Sequence, residues 1–158
     1  MYSEFECGEE NSFMFDSEGA LVDKFLDCLR TVSPWGSVKT GVEFFYQRGR
    51  TDIVAVDDGG CVIAFEAKLT KWREALQQAY RNTCFAHRSY VVLPKHTALL
   101  ANRYSAEFEL RGIGICYIWQ DNVIVLQEAG EADPLQPWLA RQAISWVTDS
   151  ESICPKLL

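Results

Sequence analysis

Asp52, Glu66 and Lys68 are charged residues set in otherwise apolar surroundings. They stand at the outer ends of two runs, Thr51-Asp52-Ile53-Val54-Ala55-Val56 and Cys61-Val62-Ile63-Ala64-Phe65-Glu66-Ala67-Lys68, joined by Asp57-Asp58-Gly59-Gly60. Charged side chains are almost never buried without a partner or a task. Two carboxylates brought together would need a cation to hold both ionised, and a divalent ion does so with chemistry to spare. Oxygen-only ligands suit a hard ion such as Mg²⁺ or Mn²⁺, and a neighbouring lysine can orient or deprotonate a water in its shell.

Whether the three groups meet depends on the turn. Both runs are rich in β-branched and apolar residues around an Asp/Gly turn, the pattern of a hairpin covered on both faces in the middle of a sheet. Side chains alternate along a strand, so Glu66 and Lys68 share a face and Ala67 takes the other. If Asp58-Gly59-Gly60 is a three-residue loop with positive φ at Gly60, residue i faces residue 118 − i and Asp52 lies opposite Glu66. A two-residue Asp58-Gly59 turn would instead pair Asp52 with Phe65 and send the carboxylates to opposite faces.

An aspartate followed across a short hairpin by Glu-x-Lys, here Asp52 and Glu66-Ala67-Lys68, resembles the PD-(D/E)XK nuclease superfamily. Thr51 stands where that pattern usually has proline, a change that leaves the ligand intact. The resemblance implies a restriction-endonuclease-like α/β fold: a mixed central sheet with a β-meander, helices on both faces, and an α-β-β-β-α-β-α-β core. It further implies a Mg²⁺- or Mn²⁺-dependent phosphodiesterase acting on nucleic acid, DNA before RNA. Asp52, Glu66 and the Ala67 carbonyl would hold the metal, and Lys68 would handle the water. Many members place a metal-associated glutamate on the first helix, which points to Glu18, although the helix dipole alone favours an acid in a first turn. Some branches carry Gln-x-x-x-Tyr on the helix after the motif. Gln77 to Tyr80 is one residue shorter here, and a solvated helix surface explains Gln77 equally well.

The positioning elements follow from periodicity. Residues 16–32 read as a helix, with Asp16 or Ser17 as N-cap and Leu21, Val22, Phe25, Leu26, Leu29 and Val32 as its apolar stripe. Val42–Gln47 is the expected first strand, turning through Arg48-Gly49-Arg50 into the motif. Thr70 can cap a helix through about Cys84, with Trp72, Ala75, Leu76, Ala79 and Thr83 as its stripe. Ser89–Leu93 is a strand, residues 95–107 a helix, and Ile113–Ile118 a strand. A tight turn at Asp121-Asn122 leads to Val123–Leu126, and residues 134–147 form a terminal amphipathic helix. The nuclease-like core thus spans about residues 16–127, and the arm 1–15 shows no clear period. Arginine forks suit phosphate oxygens, so Arg48 and Arg50, with Lys71 and Arg73, are the candidate edges of a basic groove. His87 and His96 lack metal spacing and read as surface or helix-cap residues.

Composition bounds the rest. The 158 residues suit one domain, with no Pro/Ser/Gly-rich run dividing them. No stretch approaches the ~20 consecutive apolar residues that span a bilayer, and the N-terminus has acids where a signal peptide has bases, so a cytoplasmic protein is expected. Six scattered cysteines without a C-x-x-C pair read as reduced thiols. A net charge of −7 excludes a general nucleic-acid coat. Yet residues 39–103 hold ten Lys/Arg against six Asp/Glu, so the basic excess surrounds the motif. A catalytically silent binding module of the same fold is the alternative. Such a small chain leaves target choice to a homodimer, DNA shape or a partner protein.

Overall fold

The computed structural model describes residues 15–47 and 49–153. Ser17 caps the first helix, α1 (Glu18–Thr31), its side chain accepting from the Ala20 N–H at 3.0 Å. Strands β1 (Val38–Tyr46), β2 (Gly49–Asp57) and β3 (Val62–Ala67) form an antiparallel meander. Helix α2 (Trp72–Arg81) and a 3₁₀ turn (Asn82–Cys84) lead to β4 (Arg88–Val92). Helices α3 (Lys95–Asn102) and α4 (Ser105–Arg111) precede β5 (Ile113–Trp119) and β6 (Asn122–Gln127), and α5 (Pro137–Ile153) is the last described element.

The strands build one mixed sheet in the order β1-β2-β3-β4-β5-β6. The β3-β4 and β4-β5 pairs are parallel, each bridged by helix, and β5-β6 is antiparallel. Helix α1 covers one face: Leu21, Phe25 and Leu29 pack on Ile53, Ile63, Phe65 and Tyr90. On the other face α5 sets Leu139, Ala143 and Val147 against Phe44, Tyr46, Val54 and Ala64, while α2, α3 and α4 cover Val91, Ile113 and Ile115. With both faces covered, β3 is buried at every residue, Glu66 included. The Tyr90 ring packs against Gly114, where an added Cβ would stand 2.3 Å from it. Among the described residues no helix is long and apolar enough to cross a membrane.

The turn that decides the motif is the three-residue one. Gly60 has φ +85, its N–H reaches the Asp57 carbonyl at 3.1 Å, and the Asp57 carboxylate accepts from the N–H groups of Gly59 and Cys61 at 2.9 and 2.8 Å. The ladder therefore runs Val56↔Val62, Ala55↔Ile63, Val54↔Ala64, Ile53↔Phe65.

Several boundaries differ from the sequence reading. The helix after the motif starts at Trp72 behind Lys71, without the expected Thr70 cap, and ends at Arg81, where the 3₁₀ turn takes over. β1 begins at Val38 instead of Val42, because α5 covers its start: the Thr40 N–H donates to Glu151 at 2.9 Å and Trp146 packs on Gly41. The helix expected over 95–107 is two helices, broken where Tyr104 turns to stack on Trp72 with ring centroids 5.2 Å apart. The terminal helix runs Pro137–Ile153, not 134–147, since Pro137 suits a first helical position and Gln136 is tied to the Cys84 carbonyl. The β5-β6 turn centres on Gln120 and Asp121, both at positive φ.

Candidate functional site

The β2-β3 ladder ends at Ile53↔Phe65, yet β2 continues, paired with β1, as far as Gly49. The two strands of the motif thus part company at their open end. Asp52 and Glu66 occupy the first step beyond the last rung, opposite each other in the same register. The Asp52 side chain replaces the missing rung: its Oδ2 accepts from the Ala67 N–H at 2.9 Å. Asp52 is about one-fifth exposed, while Glu66 is 2% exposed.

Glu66 is held by a buried chain of donors. Its Oε2 accepts from Asn82 Nδ2 at 2.7 Å. Asn82 is completely buried, and its Oδ1 accepts from Tyr46 Oη at 2.8 Å and from Thr51 Oγ1 at 2.9 Å. Arg81 Nε donates to the same tyrosine oxygen at 3.2 Å. That bond leaves the Tyr46 proton for Asn82, which fixes the amide with its NH₂ toward Glu66. The Glu66 carboxyl is nevertheless pushed up to about 8, by burial first and by the charge of Asp52 second, against the opposing pull of Asn82 and Arg81. Burial likewise pushes the Tyr46 hydroxyl up to about 12.

Lys68 follows on the next outward step. Its Nζ stands 3.0 Å from Glu74 and 3.9 Å from Glu18. Burial works to lower its pKa, but the hydrogen bond to Glu74 and the charges of Glu18, Glu74 and Asp52 outweigh it, so the ammonium is stabilised. Glu18 is half exposed and reaches Lys68 from the first turn of α1; it is not joined to the carboxylate pair. Gln77 is exposed on α2.

A second irregularity lies beside Asp52. The β1-β2 pairing passes from Val42↔Ile53 to Phe44↔Thr51, leaving Glu43 and Asp52 unpaired, with Glu43 at φ +54. The residues on either side consequently face opposite ways, Ile53 toward α1 and Phe44 toward α5. Arg50 bridges the break, 3.4 Å from Glu43 and 3.6 Å from Asp52 Oδ1. Together with Glu18, Val22 and Asp23, these residues line a cavity of about 270 Å³.

The other basic candidates are scattered. Arg73 binds Glu107 at 3.1 Å and lies over Trp72 and Tyr104, 4.1 and 4.8 Å from their ring centroids. Lys71 is exposed at the start of α2, and Arg48 lies outside the described residues. His87 is half-buried and accepts the Val62 N–H through Nδ1, extending the β3 ladder.

Among the described residues no group of three or more His, Cys, Asp or Glu side chains is placed to hold a metal ion. The motif itself offers two carboxylates and the Ala67 carbonyl. One oxygen of each carboxyl accepts from an N–H; the second Asp52 oxygen faces Arg50 at 3.6 Å, and the two carboxyl groups are hydrogen-bonded to each other. A buried carboxyl whose charge is opposed by its surroundings, set beside a second and partly exposed one, has the hard oxygen donors to accept a small divalent ion. Asn82 and Tyr46 complete the site without having stood out in the sequence, and Arg50 joins them from the expected basic candidates. Asn82 does lie three residues beyond Ala79 on the apolar stripe of α2, the one trace of its buried position.

No family model and no curated protein matches the chain. Among solved structures, a Silicibacter pomeroyi protein of unknown function is similar at a TM-score of 0.61 and 14% identity, over 85% of this chain and 87% of that one. This likeness shows a shared fold. The Pyrococcus furiosus SfsA structure in complex with Ca²⁺ has a TM-score of 0.35 and 12% identity over 70% of this chain and 60% of that one, too slight to carry an argument.

Proposed function

We propose that the chain is a divalent-cation-dependent nuclease with a restriction-endonuclease-like core, hydrolysing phosphodiester bonds in DNA. The observation that carries this reading is the meeting of Asp52 and Glu66 where β2 and β3 separate, with Lys68 one outward step beyond. The meander followed by α2 and β4 supports the fold assignment. Asp52, Glu66 and the Ala67 carbonyl would hold Mg²⁺ or Mn²⁺. When bound, the ion supplies positive charge for a phosphate and a water of lowered pKa.

The protein's own groups then have separate tasks. Lys68 carries its proton, since Glu74 and Glu18 stabilise the ammonium, so its Nζ acts as a donor that orients the attacking water or a phosphate oxygen. Arg50, half exposed at the mouth of the cavity, can exchange Asp52 and Glu43 for a phosphate. Cleavage of linear, circular and branched DNA with Mg²⁺ or Mn²⁺, beside calorimetry of ion binding, tests the assignment. Absence of both ion binding and cleavage overturns it.

A silent binding module is the second reading, and one observation favours it: Arg50 and Lys68 already neutralise carboxylates around the site. DNA binding or protein capture without an ion requirement would support that reading.

A further inference from the structure

Both motif carboxylates are tethered, and by different devices. Asp52 Oδ2 takes the Ala67 N–H at 2.9 Å, and Glu66 Oε2 takes the Asn82 amide at 2.7 Å. Asn82 has little freedom to let go. Its Oδ1 is fixed by Tyr46 and Thr51, and Tyr46 is fixed by Arg81. Asn82 and Thr51 are both fully buried, so no water competes for these bonds.

Ion selectivity depends on how many oxygens a carboxylate can offer. Ca²⁺ takes six to eight oxygens and readily binds a carboxylate through both, whereas Mg²⁺ keeps a compact octahedron of waters and single oxygens, a preference Mn²⁺ shares through its own octahedral oxygen sites. A carboxylate with one oxygen committed to a rigid donor is suited to one-oxygen binding. Two such carboxylates and one carbonyl would offer an ion three oxygens, with water and substrate to supply the rest.

We infer that Asn82 is a positioning residue that confines Glu66 to one-oxygen ligation, making the site select Mg²⁺ or Mn²⁺ over Ca²⁺. The inference rests on the metal-dependent reading and specifies the class of ion. Asn82 touches neither substrate nor ion; it acts through the orientation of Glu66. Partners one shell out from a metal ligand commonly change affinity 10- to 100-fold when removed.

The experiment is calorimetric titration of the full chain with Mn²⁺ and with Ca²⁺, for wild type, Asn82→Ala and Tyr46→Phe. Wild type should bind Mn²⁺ more tightly than Ca²⁺. In Asn82→Ala, Glu66 can turn both oxygens to the ion, so the Mn²⁺-to-Ca²⁺ affinity ratio should fall by roughly 10-fold or more. Tyr46→Phe, which removes one of the two donors that orient the amide, should move the ratio the same way by less, and it serves if the alanine variant does not fold. A merely structural role for Asn82 would lower the melting temperature or weaken both ions alike. An unchanged ratio in variants that still bind overturns the tether. No heat with either ion in wild type overturns the metal reading beneath it.

Discussion

Replacing Glu66 by glutamine should make the metal-free protein more stable as the pH rises toward 8. An ordinary glutamate titrates near 4.5, whereas burial and the Asp52 charge push Glu66 up to about 8. Between those values the folded protein keeps a proton that the unfolded chain has lost. Stability from this group is therefore complete below pH 4.5 and is lost as the pH climbs to about 8. Each pH unit across that interval is worth about 1.4 kcal/mol, which sets a ceiling on the order of 5 kcal/mol. With 2% of Glu66 exposed, solvent screens little of it. Glutamine fits the same space: its carbonyl can accept from Asn82, and its amide can donate to Asp52 in place of the carboxyl proton. It does not titrate, so the stability difference should shift in favour of Glu66→Gln by several kcal/mol from pH 5 to pH 8. Urea unfolding with chelator at pH 5, 6.5 and 8 measures this. At pH 8 Mn²⁺ should stabilise wild type and leave the variant unmoved. Parallel pH profiles for the two proteins would refute the account of Glu66.

Lys68→Ala should retain or strengthen ion binding, because it removes a positive charge from the site, while cleavage falls by roughly 10²-fold or more; calorimetry and cleavage assays on one preparation test both halves. Arg50→Gln should tighten Mn²⁺ binding by freeing Asp52, and the salt dependence of DNA affinity should lose about one unit of slope; an unchanged slope would remove Arg50 from the phosphate contacts. Gly114→Ala places a Cβ 2.3 Å from the Tyr90 ring and 2.7 Å from the Gln127 carbonyl, so it should cost at least the 1–3 kcal/mol typical of overpacking, read as a lowered urea midpoint.

The hairpin was legible because its register is written locally. Asp57 supplies the side-chain acceptor that closes the turn and Gly60 the residue tolerant of φ +85, and together they put Asp52 opposite Glu66. The α1 stripe was legible for the same reason, since Leu21, Phe25 and Leu29 recur at helical spacing and all face the sheet. Asn82 was not, because the expected stripe passed from Ala79 to Thr83. The tighter 3₁₀ turn after Arg81 rotates Asn82 inward instead, and Thr83 is left half-buried. Glu43 escaped notice as well: a non-glycine residue at φ +54 is held there by the surrounding sheet and by Arg50, which no local pattern announces. The early start of β1 depends on α5, roughly a hundred residues away in the chain.

Helix α5 has a consequence for how the chain is made. The strands join the sheet in the order in which they are synthesised, but the meander face bearing Phe44, Tyr46, Val54 and Ala64 is covered by Leu139, Ala143 and Val147. At ~5–20 residues per second, about ninety residues of translation separate β1 from its cover, an interval of roughly 5 to 20 s. Throughout it, an apolar face and the unpaired edge of β1 are open to solvent, which is the surface that chaperone holdases and neighbouring nascent chains recognise. A chain truncated before Pro137 would never close it, and should accumulate as aggregate even though Asp52, Glu66, Lys68 and Asn82 are all present.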